Sequence, residues 1–269
     1  MLGAMIGDII GSVYEWHNVK SEDFSLFSDQ SRFTDDTVLT AATASAILHM
    51  QMGRTGLFSK RYYAEQYACQ YKLYGKRYPD CGFGEMFQSW CKASAMPKQH
   101  SYGNGAVMRV SPVGWAFNSL DEVIRQAKYT TVYTHSHPDS VKGACAIATA
   151  VFLARKTKDK NDIKSQLQKR FHYDLSVPLS KIRPEYQFDS SCRGSDPQAI
   201  SAFLEGYDYI DTIRKAISLG GDSDTIAAMA GGIAEAFYQE IPAQIKGRAM
   251  LLLNASFGEL IREFYSRFL

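Results

Sequence analysis

Apolar residues recur at helical spacing along most of the chain, and alternating strand patterns are scarce. Residues 36–52, DTVLTAATASAILHMQM, form an Ala-rich stretch that predicts a helix. Similar patterns predict helices over 58–75, 84–94 and 121–130. A further one spans 139–155, with Asp139 near its start and Arg155 near its end to complement the helix dipole. Residues 197–219, 223–239 and 242–268 complete the set. The expected architecture is all-α: one compact, multi-helix domain over 1–269. Residues 156–196 are the polar exception. They open with KTKDKND, pass through a short helix, and carry Pro178, Pro184 and Gly194. This stretch reads as an excursion on the surface.

The first sixteen residues, MLGAMIGDIIGSVYEW, are apolar enough to pass for a signal peptide. They lack a basic leading region, carry Asp8 inside the apolar run and show no small-residue cleavage site. A buried helix is the better reading. Gly3, Gly7 and Gly11 then fall on one face, where another backbone or a ligand can approach closely. Asp8 and Glu15 lie seven apart, on nearly the same face if the helix runs through both. A carboxylate inside an apolar helix is unfavourable unless something pairs with it. The helix is therefore expected to border a polar cavity.

Two short acidic segments stand out. Thr34-Asp35-Asp36-Thr37 precedes the Ala-rich helix, and Asp222-Ser223-Asp224-Thr225 follows Gly220-Gly221 and precedes IAAMAGGIAEAFY. Either one alone reads as an N-cap with acidic first-turn residues. Together they hold four aspartates with flanking hydroxyls, and Arg32 is the one base beside the first. Four such charges brought together repel unless cations sit between them. Hard oxygen donors suit Mg²⁺, Mn²⁺ or Ca²⁺ and suit zinc poorly. A pair of ions about 3.5–4 Å apart would use these donors well. Glu15 is then a further ligand or a proton-transfer group.

Glycines punctuate the middle of the chain. Residues 101–114 read SYGNGAVMRVSPVG, and Cys81-Gly82-Phe83-Gly84 precedes a predicted helix. A glycine loop at a helix N-terminus is a reasonable diphosphate cradle, although this one matches neither a Walker A loop nor a dinucleotide fingerprint. His135 and His137 lie in THSHPDS. With no soft partners nearby, a histidine that hydrogen-bonds substrate oxygens is favoured over a zinc pair.

Composition narrows the classes further. Thirty basic side chains against 28 acidic ones give a net charge of +2, too balanced to predict bulk nucleic-acid binding. The apolar runs fall short of the ~20 residues that span a membrane. Five scattered cysteines, Cys69, Cys81, Cys91, Cys145 and Cys192, form no CxxC pair and suggest reduced thiols in a cytoplasmic protein.

These motifs resemble, over almost the full length, the ADP-ribosylglycohydrolases, the family that includes the dinitrogenase reductase-activating glycohydrolase. The resemblance runs in order through GAMIGDIIGSVYE, FTDDTVLT, GFGEMFQSW, SYGNGAVMRVSPVGWAF, THSHPDSVKGA and SLGGDSDTIAAMAGGIAEAFY. It implies an all-α fold, two divalent cations (Mg²⁺ or Mn²⁺) and hydrolysis of an N- or O-glycosidic bond at C1″ of ADP-ribose. The implied metal ligands are Thr34, Asp35, Asp36, Asp222, Asp224 and Thr225. Glu15 and Asp36 are the candidate catalytic carboxylates. Gly82 and Gly84 match the diphosphate loop. Ser101, Tyr102, Gly103 and Asn104 match the loop around ADP-ribose, and His135 matches a substrate-contacting histidine. Residues 156–196 match poorly, so acceptor choice is least defined there. The expected partner is an ADP-ribosylated protein side chain, nucleobase or small molecule, bound by a monomer with no membrane attachment. Another two-metal hydrolase acting on a nucleotide-like substrate, or a non-catalytic ADP-ribose binder, would share many of these features.

Overall fold

The computed structural model describes residues 1–56 and 58–269. In chain order its helices are α1 (Leu2–Gly11), α2 (Asp35–His49), α3 (Ser59–Arg77), α4 (Glu85–Lys92), α5 (Ser111–Ala116), α6 (Leu120–Thr131), α7 (Pro138–Lys156), α8 (Lys160–Phe171), α9 (Leu179–Ile182), α10 (Cys192–Glu205), α11 (Tyr209–Ser218), α12 (Ser223–Tyr238), α13 (Ala243–Leu252) and α14 (Ala255–Phe268), with a 3₁₀ turn at Asn104–Ala106. Among the described residues there are no strands, only isolated bridges between His100 and His135 and between Gly103 and Ser191. The all-α expectation is met.

Three helices form the centre because their sequences leave no polar face. Every residue of α12 from Ser223 to Ala236 is buried, as is nearly all of α2 and most of α7. A helix apolar or small on all sides can only sit inside. Around them pack amphipathic helices such as α6 and α11, which cap the core with one face.

The glycine stripe of α1 explains its closest contact. A Cβ at Gly3 would lie 2.4 Å from the Gly231 carbonyl oxygen, and one at Gly7 would lie 2.2 Å from the Ala227 carbonyl oxygen. At Gly11 it would meet Asp224 Cα at 2.5 Å. The stripe therefore seats α1 against the backbone of α12. It leaves no open space beside the helix, in contrast to the room expected there from sequence.

Two predicted helices are each two helices. The stretch 197–219 breaks at Gly206-Tyr207-Asp208, where the Asp208 side chain accepts from Asp211 N at 2.7 Å and starts α11. The stretch 242–268 breaks at Asn254, whose side chain accepts from Phe257 N at 3.0 Å and starts α14. In both, a capping side chain hidden inside a periodic pattern supplies the new N-terminus. Residues 156–196 carry α8 and α9 and bury Ile163, Leu167, Tyr173, Leu175 and Leu179 against the body. No described helix is long and apolar enough to cross a membrane.

Candidate active site

The chain between α1 and α2 does not continue as helix. Helix α1 ends at Gly11, and Tyr14 N donates to Gly11 O at 2.8 Å in a turn. Asn18 then holds the loop. Its amide nitrogen donates to the carbonyls of Tyr14 and Glu15 at 2.8 and 2.7 Å, and its Oδ1 accepts from Gly221 N at 2.6 Å. Glu15 is thus a loop residue clamped to the Gly220-Gly221 turn, not a residue two helical turns above Asp8. Both glycines have φ of +74°, a left-handed geometry that other residues adopt reluctantly. The double turn delivers Asp222 and the start of α12 to the same place.

The two acidic N-termini meet there. Asp8, Asp36 and Asp224 each bring a carboxylate oxygen within 4.8 Å of the others. Glu15, Asp222 and Asp224 form a second such group, so Asp224 belongs to both. Thr34 Oγ1 donates to Asp8 Oδ1 at 2.7 Å, and Thr225 Oγ1 donates to Asp36 Oδ2 at 3.1 Å. Asp222 Oδ2 accepts from Asn104 Nδ2 at 2.7 Å. Thr34, Asp36, Asp222, Asp224, Thr225 and Glu15 therefore lie together. Asp35 lines the same cavity but joins neither group. Its backbone N donates to Cys81 O at 2.7 Å, and its Oδ1 lies beside Gly82.

Asp8 is the residue the sequence reading undervalued. Its Oδ2 accepts from the backbone N–H groups of Thr34 and Thr37 at 2.9 and 3.0 Å. It caps α2 from another helix while contributing to the first carboxylate group. Its place inside an apolar run was the available signal. Asn18, by contrast, gave none.

The electrostatics are costly by design of the fold. Burial pushes the Asp36 and Asp224 carboxyls well above the ordinary aspartate range, and their like-charged neighbours add to it. Asp8 and Asp222 are also raised by burial, although hydrogen bonds from Thr34, Thr37 and Asn104 oppose it. Burial, then the Asp222 charge, lifts Glu15 to about 7. Asp36 Oδ1 is buried without a hydrogen-bond partner. No ion pair to Lys or Arg reaches these acids among the described residues. Hard oxygen donors, an orphaned buried carboxylate oxygen and uncompensated negative charge fit divalent cations.

A cavity of about 640 Å³ extends from the acids, ample for a nucleotide-sized ligand. Gly82 (φ +94°) and Gly84 line it, and a Cβ at Gly84 would meet nothing within 4 Å. Ser101, Gly103 and Asn104 also line it. Their loop is held by pairing to the 189–192 segment, through Asn104 N to Ser190 O at 2.9 Å. Ser140 Oγ donates to the carbonyls of Ser101 and Gly103. Tyr102 is the exception: it does not line the cavity and stands 62% exposed, its ring 6.0 Å from that of His137. His135 lines the cavity and is buried, its pKa pushed well below the usual histidine value, first by burial and then by Arg109. It is a neutral imidazole, suited to hydrogen bonding. His137 instead caps α7, its Nδ1 accepting from Asp139 N at 3.2 Å.

The acids thus gather beside a nucleotide-sized cavity on a wholly helical scaffold. The chain belongs to the ADP-ribosylglycohydrolase family, whose model matches residues 1–268. It is similar to ADP-ribosylhydrolase ARH3 of Mus musculus, 28% identical over an alignment that covers 90% of this chain and 84% of that protein. The ARH3 of Xenopus tropicalis is 26% identical, covering 99% and 95%. A solved structure of an ADP-ribosylglycohydrolase-related protein complex superposes with a TM-score of 0.65 over 100% of this chain and 97% of that one. At 21% identity that likeness shows the shared fold.

Proposed function

We propose that the chain is a divalent-metal-dependent hydrolase that cleaves the glycosidic bond at C1″ of ADP-ribose and releases ADP-ribose from a modified acceptor. The observation that carries this reading is the pair of carboxylate groups sharing Asp224 at one end of the cavity. In it, Thr34, Asp35, Asp36, Asp222, Asp224 and Thr225 would hold the cations, with Glu15 and Asp8 beside them. Bound there, divalent cations supply Lewis-acid polarisation of sugar hydroxyls and of water.

The remaining groups divide the work along the cavity. The backbone at Gly82 and Gly84 receives the diphosphate, since neither residue has a side chain to exclude it. Ser101, Gly103, Asn104 and neutral His135 orient the ADP-ribose by hydrogen bonds. As the bond from C1″ to the acceptor breaks, positive charge develops on the ribose, and the carboxylates face it. A water oxygen bonds to C1″ as the bond from C1″ to the acceptor breaks; the proton the water loses passes to a carboxylate, and a protonated carboxyl gives one to the departing acceptor atom. Glu15, half-exposed beside Asp222 and lifted to about 7 with no cation in place, is the first candidate for proton exchange. Asp36, with its unpartnered Oδ1, is the second candidate.

The test is ADP-ribose release from arginine-, serine- and base-linked substrates, with Mg²⁺, with Mn²⁺ and in excess EDTA. Release that requires the metal supports the reading. Full activity of protein shown by elemental analysis to lack metal overturns it.

A further inference from the structure

The loop that carries Glu15 buries little surface of its own. It runs between Tyr14 and Phe24, whose rings meet with centroids 4.8 Å apart. Between them most residues are exposed, and Val19 alone packs an apolar side chain against the core. A segment with so little burial opens readily unless side-chain contacts hold it. Three such contacts reach one other segment, and they run in reverse order. The Trp16 ring stacks on that of Phe188, with centroids 5.4 Å apart and planes inclined by 18°. Lys20 Nζ donates to the Tyr186 carbonyl oxygen. Glu22 forms an ion pair with Arg183.

The Gly220-Gly221 turn lies between the two segments. A Cβ at Gly220 would be 3.1 Å from Lys20 Nζ, and one at Gly221 would be 2.7 Å from Tyr186 Cε1 and 3.4 Å from Phe188 Cα. Lys20 Nζ also donates to the carbonyl oxygen of Leu219, the C-cap of α11. The turn leads directly into Asp222. Whatever fixes the 15–22 loop against the turn therefore fixes Glu15 against Asp222, and their carboxylate oxygens lie within 4.8 Å of each other and of Asp224.

We infer that Lys20 and Phe188 are positioning residues for Glu15: they anchor its loop to the 183–188 segment and the glycine turn, and so hold its carboxyl beside Asp222. This rests on the function proposed above, in which Glu15 is a candidate for proton exchange. Lys20 does not line the cavity, so its effect on a ligand passes through the loop. Phe188 does line the cavity, and its ring is engaged by Trp16, the residue next to Glu15. A reacting group moved by about 1 Å can lose 10²-fold in rate.

The experiment measures kcat of the metal-loaded full chain for Lys20→Met, Phe188→Ala and Glu15→Gln, and for each of the first two combined with Glu15→Gln. The substrate is whichever of the arginine-, serine- and base-linked compounds the wild type cleaves. Lys20→Met and Phe188→Ala should each lower kcat about tenfold to a hundredfold. Lys20→Met should leave the Kd of ADP-ribose within about twofold of wild type. Lys20→Arg, which keeps donors for both carbonyls, should recover most of the rate. In the Glu15→Gln background the same two substitutions should change kcat by no more than about twofold, because the group they position is gone. Lower Tm with wild-type kcat per folded molecule would make both residues merely structural and overturn the inference. Losses that multiply with that of Glu15→Gln overturn it too. If Glu15→Gln itself keeps wild-type kcat, there is no working carboxyl to position, and the inference fails while ADP-ribosyl hydrolysis stands. No release from any substrate by the wild type overturns both readings.

Discussion

Replacing Glu15 by glutamine separates a working carboxylate from a structural one by the sign of its effect on stability. Burial and the Asp222 charge raise Glu15 from an ordinary 4.5 to about 7. The folded protein thus disfavours the ionised form. Below about pH 4.5 the side chain is protonated in both states and contributes no penalty. The penalty grows as pH rises through 4.5 to 7 and is complete above that. At about 1.36 kcal/mol per pH unit the full figure is about 3.4 kcal/mol. Glu15 is only half-buried, so solvent screening brings it down to about 1–2 kcal/mol. Glutamine keeps the size and one acceptor but carries no charge. In EDTA at pH 8.5, Glu15→Gln should therefore be more stable than wild type, with a Tm higher by about 2–8 °C for a chain of this length. At pH 4 the two should melt together. With metal present, kcat should fall about 10²–10⁴-fold, the usual loss of one acid–base group, while ADP-ribose affinity changes much less. Thermal melts at the two pH values and initial-rate kinetics read these outcomes. A variant that melts lower than wild type at pH 8.5 and keeps its kcat would show that Glu15 serves structural hydrogen bonds, and would refute the reasoning.

Three further outcomes follow from the same geometry. Mg²⁺ or Mn²⁺ at about 100 times its Kd should stabilise the fold by about 2.7 kcal/mol in a melting titration, and Asp224→Ala, which removes the carboxylate common to both groups, should abolish this gain and turnover while circular dichroism stays helical. Gly84→Val should leave Tm nearly unchanged, because nothing lies within 4 Å of the new Cβ, yet weaken ADP-ribose binding measured by calorimetry; unchanged affinity would remove Gly84 from the diphosphate site. Gly7→Ala should destabilise by about 1–3 kcal/mol or more in denaturant titration, since its Cβ would sit 2.2 Å from the Ala227 carbonyl oxygen.

Periodicity was enough to read the helical class and most helix positions, because buried α2, α7 and α12 are long and compositionally plain. It could not read the breaks at Gly206–Asp208 and Asn254, since a capping Asp or Asn inside an amphipathic pattern resembles a solvent-facing residue. The acidic motifs were legible because like charges without basic neighbours have few other uses. Their division into two groups joined at Asp224 was not, because it depends on the angle at which α1 crosses α12. The same limit applied to Glu15: a continuous helix would have placed it above Asp8, and a single amide, Asn18, turns the chain away. Tyr102 illustrates the reverse. Its motif placed it in the ligand loop, and its ring points to the surface beside His137.

The pairing of the two acidic helix starts has a consequence for how the protein matures. Thr225 meets Asp36 across 189 positions and Thr34 meets Asp224 across 190. A chain leaving the ribosome carries Asp8 and Asp36 early, with no countering surface to seat them. The groove of α12 that receives α1 emerges only after ten intervening helices. Until then the N-terminal acids stay in water, where their repulsion is weak. Closing so long a loop is intrinsically slow. The two halves of the acidic site therefore cannot meet until α12 has been made and docks against α1.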